Sequence, residues 1–338
     1  MNLDEVFCPR EACFDKHKRG AGNIVWHDRK RQRCKCKRCG HTFSYRRGTL
    51  FYGLRTPEQT VMEVVTLVAY GCPSAAIVAA FGLDERTVAS WLARAGVQAE
   101  VFHHQHIRRL DLGQVQVDEM RLKLQGLVVW VAMAIAVGSR LWLGAVCRPE
   151  RDKGLARQII TLVYNWALQL PLLISFDGWK AYPKACQRVF REPLYTGRAG
   201  GVRQIAWGCL TLVRLVKHTP SGRFRLRRLV VSGSCTMLLR LLERSQGAGV
   251  INTAYIERLF ATFRGRLVVC TRRTRHPARG ITTVHAHLYV VGCLYNFCRI
   301  HRSLLIRTPA MAAGLTDHLW SLAEFFWWHP LPFWASTV

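Results

Sequence analysis

Two cysteine pairs near the amino terminus have the spacing of a structural metal site. Cys8 and Cys13 form the first pair, and Cys36 and Cys39, followed by Gly40, form the second. Four thiolates make a closed tetrahedral site for Zn²⁺, and the glycine permits the positive φ that a tight turn needs. We therefore predict a structural zinc site whose metal contributes to folding, because few apolar residues surround the pairs. Three neighbouring residues are rival ligands: Cys34, His27 and His41.

Three carboxylates further along the chain fit a second kind of metal site. Asp118 lies in an alternating strand pattern, Asp177 follows the apolar strand predicted over 171–176, and Glu257 lies on the helix predicted over 253–267. Hard cations such as Mg²⁺ and Mn²⁺ prefer carboxylate oxygens. Two such ions activate a water or a 3′-hydroxyl and stabilise the leaving oxygen in phosphodiester displacement. The three acids are therefore the candidate catalytic and metal-binding residues.

Each acid also has an ordinary structural explanation. Asp118 could be a strand-end acid, Asp177 could belong to a simple turn, and Glu257 could be a helix-surface acid paired with arginine. Glu119 is the main rival of Asp118, but strand alternation predicts that it points to the opposite face. Arg264 lies two turns after Glu257 on the same side of the helix, where it could contact a phosphate.

The charge of the chain indicates a polyanionic partner. Among 338 residues, 49 are Lys or Arg and 21 are Asp or Glu, which gives a net charge of +28, and half are hydrophobic, which excludes a disordered chain. Residues 178–280 hold most of this charge, with 21 basic and three acidic side chains. Another basic run separates the cysteine pairs. Its candidate phosphate contacts, for which a solvated basic face is the alternative, are Arg29, Lys30 and Arg31.

The sequence around these sites predicts four structural units: two amino-terminal modules, an α/β domain and a C-terminal tail. The four-cysteine module, resembling a zinc ribbon, occupies 1–50, and three helices with a glycine turn before the third predict a helix-turn-helix DNA-binding domain over 55–110. A plain three-helix structural module is the alternative. The third helix would enter the DNA groove through exposed side chains. These are Glu85, Arg86, Thr87, Ser90 and Arg94.

The remaining chain predicts an α/β domain over 111–310 and an aromatic tail over 311–338. Three antiparallel strands, a helix and a strand that ends in Asp177 have the order of a ribonuclease H-like fold, a mixed five-stranded sheet with helices. An insertion around 192–250 adds two predicted strands, over 211–216 and 227–231. The tail is rich in Phe and Trp and docks either on the catalytic domain or on a second copy of the chain.

The sequence predicts neither secretion nor membrane insertion. The longest uncharged apolar run, 126–138, is shorter than the roughly 18–20 residues that span a bilayer, and no signal peptide is recognised. Thirteen cysteines without a secretion signal favour a reducing compartment. We expect a cytoplasmic, nucleoid-associated protein.

The order of five short motifs is more specific than any one of them. They are Val117-Asp118-Glu119-Met120, Ser175-Phe176-Asp177-Gly178, Asn252-Thr253-Ala254-Tyr255-Ile256-Glu257-Arg258, Arg272-Arg273-Thr274 and Tyr295-Asn296-Phe297-Cys298-Arg299-Ile300-His301-Arg302-Ser303-Leu304. This series resembles that of bacterial insertion-sequence transposases with a DDE catalytic domain, closest to the insertion-sequence-one type and its relatives. The zinc-ribbon-like start and the helix-turn-helix resemble the same proteins.

The resemblance implies a role for each matching residue. Asp118, Asp177 and Glu257 would be the triad that binds Mg²⁺ or Mn²⁺, and His301 would lie on a late helix close to the active site, although an ordinary helix histidine explains it nearly as well. The DNA contacts implied on and after the triad helix are Arg258, Arg272 and Arg273. The stretch between Asp177 and Glu257 is longer than in compact members of the family.

The resemblance also implies a function. A transposase binds the ends of its own element in double-stranded DNA, cleaves phosphodiester bonds and joins the freed 3′-hydroxyl to target DNA, in a homodimer or larger synaptic complex. Two alternatives remain open from the sequence. One is a catalytically silent, transposase-derived DNA-binding protein, and the other is a structure-specific nuclease of the same fold.

Overall fold

The computed structural model describes residues 2–195, 202–218, 225–246, 249–270, 278 and 280–330. The strands are β1 (Ile24–Asp28), β2 (Arg33–Cys36), β3 (Thr42–Ser44), β4 (Gln114–Leu124), β5 (Leu127–Ala136), β6 (Trp142–Arg148), β7 (Leu172–Phe176), β8 (Arg191–Leu194), β9 (Arg203–Ala206), β10 (Leu210–His218) and β11 (Arg225–Ser232). The helices are α1 (Glu58–Ala69), α2 (Ser74–Phe81), α3 (Glu85–His106), α4 (Lys153–Trp166), α5 (Ala181–Val189), α6 (Cys235–Gln246), α7 (Ala254–Arg266), α8 (Ile281–Phe297), α9 (Pro309–Ala312) and α10 (Leu322–Trp327).

The first three strands form a small antiparallel sheet in the order β1-β2-β3. Residue alternation along β2 directs Cys34 and Cys36 inward and leaves Arg33 and Lys35 exposed. The inward cysteines pack with a few apolar side chains, among them Ile24 and Phe43. This core is too small to supply much folding free energy, which is consistent with a module that depends on a metal ion.

Helices α1, α2 and α3 follow, and α3 connects them to the rest of the molecule. Gly82 ends α2, and the side chain of Asp84 caps α3 by accepting a hydrogen bond from the backbone N–H of Arg86 at 2.8 Å. The 22-residue α3 continues past the helical module and packs against α8. The two helices approach closely at Gly96, where a Cβ would lie 2.3 Å from Cβ of Ala286. The helical module and the central sheet therefore share one buried core.

The central sheet is mixed and has the strand order β11-β10-β7-β4-β5-β6. Strands β4, β7 and β10 are parallel, whereas β5, β6 and β11 run antiparallel to their neighbours. The sheet has six strands rather than the predicted five because Arg225–Ser232 pairs with β10 at the edge. Helices α6 and α7 contact β4. An additional pair, β8 and β9, forms a two-stranded sheet in the region of the predicted insertion.

Several element predictions are confirmed with small shifts at their ends. The helix predicted over 253–267 is α7, and the strands predicted over 211–216 and 227–231 are β10 and β11. These patterns were strong because period-2 alternation and period-3.6 apolar faces are the main local signals of strands and helices. In the described ranges, no helix is both long and apolar enough to cross a membrane.

The described part of the C-terminal tail docks on the chain itself. It contacts α8 of the predicted catalytic domain, where Trp320 N donates to the Phe297 carbonyl at 3.2 Å, and it also packs on the amino-terminal half. The Gln98 side chain of α3 accepts a hydrogen bond from Leu50 N at 2.6 Å and donates to the carbonyls of Phe325, Phe326 and Trp328. The Trp327 ring packs on Tyr45, whose carbonyl accepts a hydrogen bond from His329 at 2.6 Å. The tail thus connects the four-cysteine module to α3, and residues 331–338 lie outside the described part.

Candidate metal centres and nucleic-acid interface

The four cysteines of the predicted zinc site converge. The sulfur atoms of Cys8, Cys13, Cys36 and Cys39 all lie within 4.8 Å of one another. Cys8 Sγ lies 3.6 Å from Cys39 Sγ, and Cys13 Sγ lies 3.9 Å from Cys36 Sγ. A tetrahedral zinc ion with Zn–S bonds of about 2.3 Å requires sulfur atoms about 3.8 Å apart. The cluster therefore has the dimensions to hold a metal ion such as zinc.

Backbone amides around the cysteines favour the thiolate form. The N–H groups of Arg10, Asp15 and His41 each point at the sulfur of the cysteine two residues earlier and oppose a rise in its pKa. For Cys39, the bond from His41 lowers the pKa to about 7, whereas burial raises the pKa of Cys8. A hydrogen bond to the charged form stabilises that form, and the thiolate is the metal ligand.

The three rival ligands do not join this cluster. Cys34 is fully buried between β1 and β3, and burial alone raises its pKa to about 11. His27 is exposed on β1, and the His41 ring stacks on Phe43. Among the described residues, the set of metal-ligating atoms here contains only the four cysteines.

The sheet register brings two of the three predicted acids together. Val117 of β4 pairs with Phe176 of β7 in parallel. Asp118 and Asp177 come directly after this pair, and their carboxylate oxygens lie within 4.8 Å of each other and of Glu119. The Asp177 carboxylate also accepts a hydrogen bond from the N–H of Trp179 at 3.0 Å. This acidic site can hold a hard cation such as Mg²⁺ or Mn²⁺.

The electrostatics of the acidic site favour a cation. Burial is the main cause that raises the pKa of Asp118 to about 7, and the negative charges of Asp177, Glu119 and Glu257 also raise it. Like charges this close disfavour the ionised form of Asp118. A divalent cation at this position would offset the repulsion that raises the pKa of Asp118.

Glu119, which alternation predicted on the opposite face, belongs to the same acidic site. Its carboxylate lies within 4.8 Å of those of Asp118 and Asp177, although β4 still pairs with β5 at this position. The side chain is 4% exposed. Its oxygens accept hydrogen bonds from Tyr182 OH and Arg151 Nε, each at 2.6 Å. The Glu119 carboxylate therefore lies beside the two aspartates and already accepts hydrogen bonds from two other side chains.

Glu257 occupies the rim of the acidic site. Its carboxylate lies outside the 4.8 Å set, although its charge acts on Asp118. Oε1 of Glu257 accepts hydrogen bonds from Thr253 Oγ1 and from Lys217 Nζ, both at 3.0 Å. The structure thus places the Asp118 and Asp177 carboxylates within 4.8 Å of each other. The Glu257 carboxylate, on α7, lies farther from them.

A buried glutamine that sequence reasoning missed positions this helix. Gln116 of β4 accepts hydrogen bonds from the N–H groups of Tyr255 and Ile256 at 3.0 Å and donates to the Asn252 carbonyl at 2.7 Å. These bonds satisfy the first amides of α7, whose own cap residue, Thr253, makes no side-chain capping bond. A polar residue two positions before Asp118 on the same strand face was the available signal. Lys217 carried no such signal, because its approach to the site depends on the pairing of β10.

The resemblance implied that His301 lies on a late helix, but in the structure His301 lies beyond the end of α8. Helix α8 ends at Phe297, and His301 N donates to the Arg307 carbonyl at 3.0 Å to close a turn. Burial lowers the pKa of His301 to about 4, with further lowering by the charges of Arg299, Arg266 and Arg140. No triad residue appears among the described groups that act on it.

The amino-terminal basic residues border a cleft. Lys30 and Arg31 line it together with Arg33, Arg47 and Tyr52, and its volume is about 810 Å³. Arg29 is exposed beside it, and Arg31 forms an ion pair with Asp28 at 3.7 Å. The cleft presents several cations to solvent, as a surface that follows a phosphodiester backbone does.

Helix α3, which is predicted to enter the DNA groove, borders the same cleft. Arg94 Nη1 donates to the carbonyl of Tyr52, a cleft residue, at 2.8 Å. Arg86 and Ser90 are exposed near the start of α3, and Thr87 is half-buried. Helix α3 therefore contacts the border of the cleft at Arg94.

The remaining predicted DNA contacts lie on or after α7. Arg258 is exposed, and the Arg264 guanidinium lies 5.7 Å from the centroid of the Phe260 ring on the same helix. Arg272 and Arg273 lie outside the described residues.

No protein-family model matches this sequence, and no curated protein is significantly similar to it. Comparison with known proteins therefore assigns neither a family nor an activity to the chain.

Proposed function

We propose that this protein is a DDE transposase that binds the ends of its own DNA element and catalyses metal-dependent phosphodiester cleavage and strand transfer. One observation carries the proposal. The acidic site of Asp118 and Asp177, with Glu257 on the helix beside it, lies at the ends of adjacent parallel strands in a chain of net charge +28. Ligand sites of open α/β sheets lie at such strand ends.

The arrangement of the sheet supports this proposal. Strands β4, β5 and β6 form an antiparallel meander, α4 follows, and β7 returns parallel to β4 with Asp177 at its end. This order is compatible with a ribonuclease H-like fold. Strands β10 and β11 extend it, and Lys217 from β10 adds a cation at the rim of the acidic site.

Asp118, Asp177 and Glu257 would hold two Mg²⁺ or Mn²⁺ ions. When bound, such ions generate the attacking oxygen nucleophile and stabilise the leaving oxygen. Gln116 fixes the start of α7 and so places Glu257 at the rim. Lys217 and Thr253 orient the Glu257 carboxylate, and the Lys217 ammonium lies where it could contact a phosphate oxygen.

The amino-terminal half would recognise the DNA. The four-cysteine cluster would hold structural Zn²⁺ and keep the basic cleft in shape beside α3. Phosphate contacts in the cleft would set the position of the protein, and side chains at the start of α3 would contact base edges in the major groove. Synapsis of two element ends requires a homodimer or larger assembly.

A strand-transfer assay tests this function. We expect wild-type protein with Mg²⁺ or Mn²⁺ to join 3′-hydroxyl ends of its flanking DNA to a supercoiled target, and Asp177→Ala to abolish joining while retaining DNA binding. Equal cutting and joining by Asp177→Ala would overturn the mechanism. Binding without cleavage by the wild type would instead identify a catalytically silent DNA-binding protein. Cleavage set by DNA shape, without joining, would identify a structure-specific nuclease.

A further inference from the structure

The chain after α8 forms a tight turn with an unusual backbone. His301 N donates to the Arg307 carbonyl at 3.0 Å, and Arg307 N donates to the Leu304 carbonyl at 3.2 Å, which closes the neck of the turn. Leu305 and Ile306 at its tip have φ values of 52° and 63°. This left-handed region is unfavourable for residues with a Cβ, and especially for a β-branched residue such as isoleucine.

The strained tip exposes two aliphatic side chains. Leu305 is 83% exposed and Ile306 is 74% exposed. Their exposure contributes no burial free energy that would offset the backbone strain. Strained, exposed apolar residues of this kind point to a role outside the folding of the chain.

The neck of the turn lies against positive charge that has no acidic partner. Arg266 is 8% exposed, yet its Nη1 atom is buried without a hydrogen-bond partner, and so is Nε2 of His301. The charges of Arg299 and Arg140 act on His301 as well. Among the described residues, no carboxylate forms an ion pair with Arg266, Arg299 or Arg140. Arg299 is exposed, so this positively charged surface favours an anionic partner.

A duplex DNA matches this combination of features. Proteins that deform DNA insert aliphatic side chains between base steps and bind the adjacent phosphates with basic groups. Arg140, whose charge acts on His301, has its guanidinium 4.0 Å from the centroid of the Tyr255 ring at the start of α7.

We propose that the turn over 299–307 is a DNA wedge, in which Leu305 and Ile306 insert between stacked bases while the exposed Arg299 binds a backbone phosphate. The inference rests on the DNA partner of the proposed function but not on catalysis. Insertion would unstack a base step of the bound DNA. A second copy of the chain is the competing occupant of the tip.

Permanganate oxidation of unstacked thymines tests the wedge directly. The probe is a DNA fragment that carries this gene and its flanks, saturated with full-length protein in Ca²⁺, with binding verified by mobility shift. We expect wild-type protein to make thymines at discrete positions hyper-reactive. The double variant Leu305→Ser/Ile306→Ser should lose this reactivity, and Leu305→Met/Ile306→Met should keep it because it retains apolar side chains. Leu239→Ser, which changes another exposed aliphatic residue on α6, is the matched control and should behave like the wild type.

The phosphate contact has its own readout. Arg299→Gln should reduce the slope of log affinity against log salt concentration by about 0.9, the value expected for one lost phosphate contact. Unchanged thymine reactivity in the serine double variant would overturn the wedge, as would an absence of hyper-reactive thymines in the wild-type complex. Dissociation of a dimer by the serine variant, with DNA reactivity intact, would identify a second copy as the occupant. Unstacking without cleavage in Mg²⁺ would leave the wedge standing and count against the transposase activity.

Discussion

Replacement of Gln116 by leucine tests how the sheet positions the third acid. The substitution removes the acceptor of the Tyr255 and Ile256 amides and leaves both N–H groups without a partner at a buried helix start. Each unpaired buried amide costs about 1–3 kcal/mol. Burial of the leucine side chain stabilises the folded state by about 1 kcal/mol, which offsets part of this cost. We therefore expect Gln116→Leu to lower the free energy of unfolding by about 1–5 kcal/mol.

Gln114 offers a matched control on the same strand face. Its side chain accepts one hydrogen bond, from Ser245 Oγ at 2.6 Å, and Ser245 can donate to the Leu241 carbonyl at 2.7 Å instead. Gln114→Leu leaves no new buried donor unpaired, so its effect should be below about 1 kcal/mol. Neither glutamine is a predicted metal ligand.

Two measurements separate positioning from general destabilisation. Urea unfolding followed by tryptophan fluorescence gives the free-energy change of each variant, and isothermal titration calorimetry gives the affinity for Mn²⁺. Gln116→Leu should weaken Mn²⁺ binding by about tenfold, the lower end of the effect of lost outer-sphere support, whereas Gln114→Leu should leave it unchanged. Equal stability and equal Mn²⁺ affinity in the two variants would refute the positioning role of Gln116.

Three further predictions concern metal binding and backbone strain. Chelation of zinc, or Cys36→Ser, should unfold the amino-terminal module and leave the central sheet folded, as seen by limited proteolysis, and metal analysis should give one zinc per four thiolates. Because the pKa of Asp118 is raised to about 7, its native state binds more protons than its unfolded state, so Asp118 lowers the stability of the metal-free protein as pH rises from about 4 to 7. Asp118→Asn should therefore stabilise the metal-free protein more at pH 8 than at pH 5, and a pH-independent difference in urea unfolding would contradict this. Leu305→Gly and Ile306→Gly should each raise the free energy of unfolding by about 0.5–1 kcal/mol, because glycine relieves the left-handed strain but loses more chain entropy on folding. Loss of stability in both glycine variants would mean that the tip side chains make stabilising contacts.

Local sequence patterns sufficed for the residues that lie on regular elements. Strand alternation and the end of an apolar strand identified Asp118 and Asp177, and the paired cysteine spacing identified the four-sulfur cluster that the structure assembles. In each case, the relevant signal lies within a few residues of the site. The same signals gave the bounds of α7, on which Glu257 lies.

Features that depend on long-range pairing could not be read from such patterns. Lys217 reaches Glu257 only because β10 pairs in parallel with β7. Glu119 joins the acidic site and accepts a hydrogen bond from Tyr182 of α5, a contact that alternation along one strand does not reveal. The docking of Trp327 and His329 on Tyr45 joins opposite ends of the chain. These contacts arise from tertiary packing, which local propensity does not encode.

Cleavage and binding measured in the same reaction test the central claim most directly. A DNA fragment that carries this gene and its flanks is incubated with purified protein and Mg²⁺ or Mn²⁺, beside the Glu257→Gln variant, and bound and cleaved DNA are quantified together. We predict cleavage at discrete positions that flank the gene, with loss of cleavage and retention of binding in Glu257→Gln. Cleavage that persists in Glu257→Gln, or tight binding by the wild type with no cleavage in either metal, would contradict the assignment of a catalytic DDE triad.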